Sequence, residues 1–265
     1  AVKLYPNAST RIGKANAFSL KSLLALCEVD RFCSGLEEMV RLGYNDALIG
    51  SMCSIANLRF GANIKNPFCE YPLNCIEQKS LLEEYDFNSI FVEPAKEIIN
   101  QTRVSNKRQD LVQNGFQTSG NLFADCKYFS SDAQQIIEHE LEKYKNKLTD
   151  KAGGFLTDWP ANFSLTGWLV CYNSGGTILP HIHENGWVSG SIYINSPKQP
   201  LSESGNLVVS LDDSPYGASP KGESKSVIGV ETGTLCLFPA SLYHSTLPFE
   251  SCEQRIVLAF DVNPI

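Results

Sequence analysis

The first hundred residues place apolar side chains at intervals of three and four, the spacing of amphipathic helices. Gly43 and Gly61 follow two of these runs, at positions where helices commonly end. The pattern predicts helices here, interrupted by a loop at Asn66–Pro72 and followed by further helices over Ile76–Tyr85 and Pro94–Gln101.

A separate amphipathic helix is predicted over Ser131–Lys145. Ser131 and Gln134 have the spacing of a capping box. His139 lies in this charged segment and is interpreted as a solvated side chain. The apolar stripe indicates a helix packed on the outside of a sheet; its members are Ile137, Leu141, Tyr144 and Leu148.

From about residue 163 onward, short apolar runs alternate with Gly, Pro, Asn and Ser. This alternation predicts short strands that form an antiparallel β-sandwich or barrel of the jelly-roll type. Together with the helices, it indicates an α+β protein. Residues 102–115 are polar and without periodicity, so we place the domain boundary there, with a helical, degenerate repeat-like region at 1–105 and the barrel at 106–265. The predicted strands are Leu165–Tyr172, Trp187–Asn195, Asn206–Ser210, Ser226–Val230, Thr234–Phe238 and Arg255–Val262.

The composition of the 265 residues, 43% hydrophobic and 19% charged, is typical of a globular protein. The formal net charge of −7 argues against a nucleic-acid partner, because nucleic-acid binding needs a positive surface. No apolar run approaches the roughly 18 residues of a membrane span, so no membrane partner is expected. The nine cysteines include no CxxC pair, which favours reduced, mostly buried thiols and a cytoplasmic location.

Three of the four histidines fall in two short segments that suit a metal site. His181 and His183 are spaced i, i+2, so on a strand both point to one face. His244, from a distant segment, could complete a triangular set of ligands. Neutral imidazole suits Zn, Cu, Fe and Ni, and facial sites with open positions are typical of non-haem Fe(II) oxygenases.

The last predicted strand carries Arg255 and Asp261 on one face, while Ile256, Leu258 and Phe260 share the other. A guanidinium facing a barrel interior requires an anionic partner, and its fork suits a carboxylate. Tyr193, on one strand face with Ser189, could donate to the same carboxylate or could be an ordinary strand aromatic. A metal with a buried arginine nearby indicates a small dicarboxylate held between them.

These segments resemble the 2-oxoglutarate–Fe(II) oxygenase superfamily over roughly residues 110–265. The closest likeness is to oxygenases found behind tetratricopeptide-type helical repeats. The resemblance rests on the motifs His181-Ile-His183, Gly186-Trp-Val-Ser-Gly190, Leu237-Phe-Pro-Ala-Ser-Leu-Tyr-His244 and Arg255-Ile-Val-Leu-Ala-Phe-Asp261. The Gln-Thr segment within Gln113–Phe123, which precedes them, also resembles the superfamily.

The resemblance implies a double-stranded β-helix, jelly-roll or cupin-like, that holds Fe(II) and 2-oxoglutarate. The far carboxylate of 2-oxoglutarate is expected on Arg255, with Tyr193 and Ser189 beside it. The implied reaction uses O2, decarboxylates 2-oxoglutarate to succinate and usually hydroxylates a substrate, here a peptide, a protein or a small molecule.

One position departs from the superfamily pattern. Most members have His-x-Asp or His-x-Glu, whereas this chain has His183 at the second site. His183 could be the third ligand, or a water could take that place; we favour His181, His183 and His244. Two other functions stay open: a cupin-type three-histidine metalloenzyme that does not use 2-oxoglutarate, and a non-catalytic peptide-binding protein.

Overall fold

The structure, a computed structural model, describes residues 11–101, 106–107, 110–124, 128–149, 152–197, 203–214 and 224–265. The helices are α1 (Arg11–Ala25), α2 (Val29–Arg41), α3 (Ala47–Phe60), α4 (Glu93–Asn100), α5 (Ser131–Lys147) and α6 (Gly154–Thr157). The strands are β1 (Glu77–Ser80), β2 (Asn106–Lys107), β3 (Val112–Thr118), β4 (Phe163–His181), β5 (Val188–Asn195), β6 (Leu207–Ser210), β7 (Lys225–Ile228), β8 (Thr234–Pro239), β9 (Tyr243–Thr246) and β10 (Arg255–Pro264).

Helices α1–α3 pack around a core of their own, as the apolar periodicity predicts. Gly43 and Gly61 have φ of 86° and 63°, a left-handed conformation that favours glycine, so the predicted helix ends are confirmed. Helix α4 is confirmed as well. The core side chains include Leu20, Phe32, Leu36, Ile49, Met52 and Cys53.

Two local predictions are wrong. The segment predicted as a helix over Ile76–Tyr85 contains β1, which pairs antiparallel with β8, because the exposed edge of β8 provides the backbone partners. The capping box is also absent: Ser130 precedes α5 without a side-chain cap, and the Gln134 amide donates instead to the Phe123 carbonyl at 3.0 Å. Helix α5 itself is confirmed, and His139 is exposed as expected.

The described strands form one antiparallel sheet that curls on itself, in the order β1-β8-β5-β10-β4-β9-β6-β7, with β2 and β3 attached beside β4. The predicted strands are confirmed, although β4 is much longer than expected. Strands β3 and β9 were not predicted. The fold is an α+β jelly-roll with helices at its N-terminal side.

The two faces of the central strands have different neighbours. On β10, Leu258 and Phe260 pack into the core shared with α4 and α5, whereas Val257 lies in the inner core of the barrel, so the predicted alternation is confirmed. Gly190 on β5 makes this packing possible, since a Cβ there would lie 2.1 Å from the Phe260 ring. The outer face of β10 is therefore closed by apolar packing, whereas its inner face lies toward the barrel interior.

The core on the outer face also includes Phe68 and Phe91, which precede the predicted boundary near residue 105. That boundary stays a prediction, and residues 102–105 and 108–109 lie outside the described part. Among the described residues, no helix is long and apolar enough to cross a membrane. The described cysteines are free thiols.

Candidate metal centre

Strand pairing brings the histidines together. His181 ends β4 and lies directly opposite His244 of β9 in the antiparallel register. The ring centroids of these two residues are 4.2 Å apart, and the His183 centroid lies 5.2 Å from that of His181 and 4.9 Å from that of His244. One nitrogen from each ring lies within 4.8 Å of the others. Metal–nitrogen bonds of about 2.1 Å could form after side-chain shifts of under about 1 Å.

Each imidazole presents its Nε2 atom, because the Nδ1 atom already has an oxygen partner. The Nδ1–H of His181 donates to the Leu179 carbonyl at 2.9 Å, and that of His244 faces the Leu242 carbonyl at 3.4 Å. Carbonyl oxygens only accept, which fixes the proton on Nδ1. The lone pair on Nε2 is then available in each ring, the usual arrangement of histidines that bind metals.

Burial keeps the His181 and His244 rings neutral. It lowers the pKa of His181 to about 4, with the neighbouring His183 adding to the effect. Burial also lowers the pKa of His244 well below its usual value, again with the other two imidazoles contributing. Neutral imidazoles at physiological pH can bind a cation without first losing a proton.

His183 has a different partner, the carboxylate of Asp261 on β10. The Nδ1–H of His183 donates to Oδ1 of Asp261 at 2.5 Å, and the Ser189 hydroxyl donates to the same oxygen at 3.0 Å. Sequence reasoning placed Asp261 on the correct strand face but gave it no role. The register Asp261↔Ser189 between β10 and β5 could have indicated the second contact.

The histidines open into a cavity of about 470 Å³ inside the barrel. Its walls include Trp168, whose ring centroid is 5.4 Å from that of His183, and Tyr193. No lysine or arginine of the described residues lines it. Apolar walls are provided by Val170, Ile178, Leu207 and Val257, and polar groups by Gln117, Thr166, Asn185 and Asn263.

Arg255 is 1% exposed and lies beside this cavity rather than in its wall. Its guanidinium carbon is 5.1 Å from the centre of the Tyr193 ring, and Nη1 donates to the Gly205 carbonyl. Nε and Nη2 have no hydrogen-bond partner within the described residues. Burial raises the pKa of Tyr193 well above its usual value, so its phenol keeps its proton and can donate.

Other residues singled out in the sequence have different surroundings. The Ser189 hydroxyl contacts Asp261, so its expected contact with a cosubstrate stays untested. Glu184 forms an ion pair with Lys21 of α1. Ile182, between the two histidines, packs against the core of α1–α3.

These features define a jelly-roll protein with three converging histidines, which could hold a metal ion, beside a buried arginine. A family model described as "Putative 2OG-Fe(II) oxygenase" matches residues 166–261, which include the histidines, Tyr193 and Arg255. Over these residues the chain is similar to the 2-oxoglutarate–Fe(II) oxygenases that the model describes. Proteins of that family are oxidoreductases that work with Fe(II) and 2-oxoglutarate.

Solved structures show the same fold. A prolyl-4-hydroxylase of Pseudomonas putida is 13% identical at a TM-score of 0.50, over 72% of this chain and 92% of that one. A prolyl hydroxylase of Trichoplax adhaerens, solved with a fragment of a hypoxia-inducible-factor degradation domain, is 12% identical at a TM-score of 0.50, over 72% and 84%. A search of the curated proteins gave no match.

Proposed function

We propose that this protein is a dioxygenase that hydroxylates a substrate still to be identified and converts 2-oxoglutarate to succinate. The observation that carries the proposal is the convergence of His181, His183 and His244 with each Nδ1 facing an oxygen acceptor. A histidine that merely satisfied a hydrogen bond would not need two neighbours oriented the same way.

The donor set fits Fe(II). Imidazole nitrogen is a ligand that iron accepts, and His181, His183 and His244 would hold the ion beside the cavity. Bound Fe(II) would supply the one-electron chemistry that the reaction of O2 requires. The part of the three histidines is to hold their Nε2 atoms in place, and His181 and His244 also remain neutral.

Arg255 fits the distal carboxylate of 2-oxoglutarate. Nε and Nη2 form one edge of the guanidinium fork, and both are buried without partners. Unpaired buried donors each cost about 1–3 kcal/mol, which a carboxylate would recover. Tyr193 lines the cavity with its ring centre 5.1 Å from the guanidinium carbon, and its hydroxyl can donate to the same carboxylate.

In the proposed reaction the atoms and electrons balance. O2, 2-oxoglutarate and a substrate C–H group give succinate, CO2 and the hydroxylated substrate, with one oxygen atom entering each of the two organic products. 2-Oxoglutarate gives two electrons and the C–H bond gives two. The apolar walls at Val170, Ile178 and Leu207 would keep water from the reacting groups.

The test begins with binding. Anaerobic addition of Fe(II) and 2-oxoglutarate should give a visible charge-transfer band in the wild type and none in His181→Ala or His244→Ala. Succinate release should then be measured across pools of peptides and metabolites. The absence of both the band and metal binding in the folded wild type would refute the proposal.

The same experiment separates the other functions. Iron binding without the band would indicate a three-histidine metalloenzyme that does not use 2-oxoglutarate, which the unusual His183 makes worth testing. Binding of neither would favour a peptide-binding protein. We keep a peptide, protein or small molecule as the substrate, and a cytoplasmic location, as predictions from the sequence.

A further inference from the structure

We propose that Asp261 supplies to the metal, through the imidazole of His183, the negative charge that a carboxylate ligand supplies in most of the superfamily. This inference rests on the proposed function, because it concerns how His183 acts as a ligand. It makes Asp261 a positioning residue and not a catalytic one.

The first step is the contact itself. Oδ1 of Asp261 accepts from the Nδ1–H of His183 at 2.5 Å, and the side chains are 13% and 15% exposed. A carboxylate largely removed from water is weakly screened, so its charge acts strongly on the ring that it touches. The Ser189 hydroxyl holds the same oxygen in place at 3.0 Å.

The second step is the choice of histidine. His181 and His244 face the main-chain carbonyls of Leu179 and Leu242, which carry no net charge. His183, by contrast, faces a carboxylate. It occupies the sequence position at which most of the superfamily has Asp or Glu. The negative charge thus stays next to the centre, but the His183 ring separates it from the metal.

The third step is what this contact does to a ligand. A carboxylate that accepts from Nδ1–H draws that proton toward itself, fixes the ring and makes Nε2 a stronger electron donor. Three neutral imidazoles alone would leave the cation with its full charge. A His183 whose Nε2 donates more electron density offsets part of that charge and favours a tighter complex.

The experiment compares Asp261→Asn, Asp261→Glu and Asp261→Ala with Asn263→Ala as a control. Asn263 is two residues further along the same strand face, lines the same cavity and donates to the Thr166 hydroxyl at 3.0 Å. The Fe(II) dissociation constant is measured anaerobically, without 2-oxoglutarate, by competition with a chromophoric chelator. The charge-transfer band is then recorded with 2-oxoglutarate, and circular dichroism verifies the fold.

We expect Asp261→Asn to weaken Fe(II) binding about 10- to 100-fold, the usual effect of removing such a partner. Its charge-transfer band should move to shorter wavelength, because a poorer donor leaves the iron harder to oxidise. Asp261→Glu keeps the charge and should lie closer to the wild type in both measurements. Asn263→Ala should match the wild type.

An Asn variant with wild-type affinity and band position, beside a weakened Ala variant, would mean that Asp261 only orients the ring, and the inference would be wrong. A Glu variant no better than the Ala variant would overturn it equally, and this comparison remains if the Asn variant does not fold. Wild-type protein that binds no Fe(II) would instead refute the proposed function.

Discussion

Replacing Arg255 with methionine should leave the stability of the free protein unchanged or raise it, but should weaken the binding of 2-oxoglutarate. The guanidinium is 1% exposed, and its Nε and Nη2 atoms have no partner within the described residues. In the free protein each of these unpaired donors lowers the free energy of unfolding by about 1–3 kcal/mol. Methionine fills similar space without polar atoms, so Arg255→Met should leave the stability of the free protein unchanged or raise it.

Affinity for 2-oxoglutarate should fall steeply in the same variant. Removing one partner of a buried, hydrogen-bonded charge pair costs about 2–5 kcal/mol. At about 1.4 kcal/mol per factor of ten, the dissociation constant should rise from about 30-fold to several thousand-fold. The metal site does not include Arg255, so Fe(II) affinity should stay near that of the wild type.

The assay is a thermal unfolding series with and without 2-oxoglutarate in the presence of Mn(II), together with calorimetric titration of 2-oxoglutarate. The wild type should gain stability with the cosubstrate, and Arg255→Met should not. Arg59→Met is the matched control, since that guanidinium pairs with Asp212 at 2.9 Å outside the cavity. It should keep its affinity for 2-oxoglutarate.

Affinity within threefold of the wild type in Arg255→Met would refute the assignment of the carboxylate anchor. A variant that is much less stable without any ligand would show that the hydrogen bond from Nη1 to the Gly205 carbonyl outweighs the cost of the two unpaired donors. The two outcomes are distinguishable because they appear in different measurements.

Two further predictions concern the frame around the site. Glu140→Gln should lower the free energy of unfolding by about 1–3 kcal/mol in chemical denaturation, because the 2%-exposed carboxylate is paired with Lys79 at 2.9 Å; exposed Glu142→Gln on the same helix should change little. Gly190→Ala should lower the melting temperature strongly, or prevent folding, because the added Cβ meets the Phe260 ring; a melting temperature equal to that of the wild type would contradict this packing.

Much of the site could be predicted because strand periodicity fixes which side chains share a face. The i, i+2 spacing of His181 and His183 and the alternation along β10 can be recognised without the tertiary structure. The contact between His183 and Asp261 joins residues 78 positions apart, and such a separation leaves no local pattern. The register of two strands had to be known first.

The missed elements have equally physical reasons. Strand β1 has the sequence Glu-Gln-Lys-Ser, which carries no apolar signal, and it forms because β8 offers a free edge. Strand β9 is four residues long, too short for an alternation to be recognised. The supposed cap at Ser131 failed because the Gln134 side chain has a tertiary partner in the Phe123 carbonyl.

Ile182 connects the helical part of the chain to the histidine site, because it lies between His181 and His183 and packs against α1–α3. Its side chain packs against the core of α1–α3 and also lines the cavity, as His181 and His183 do. A fragment trimmed to the stretch by which the family is recognised would expose that side chain to water and leave the His-Ile-His turn without its outer support. The smallest working unit of this protein therefore extends well upstream of its family signature.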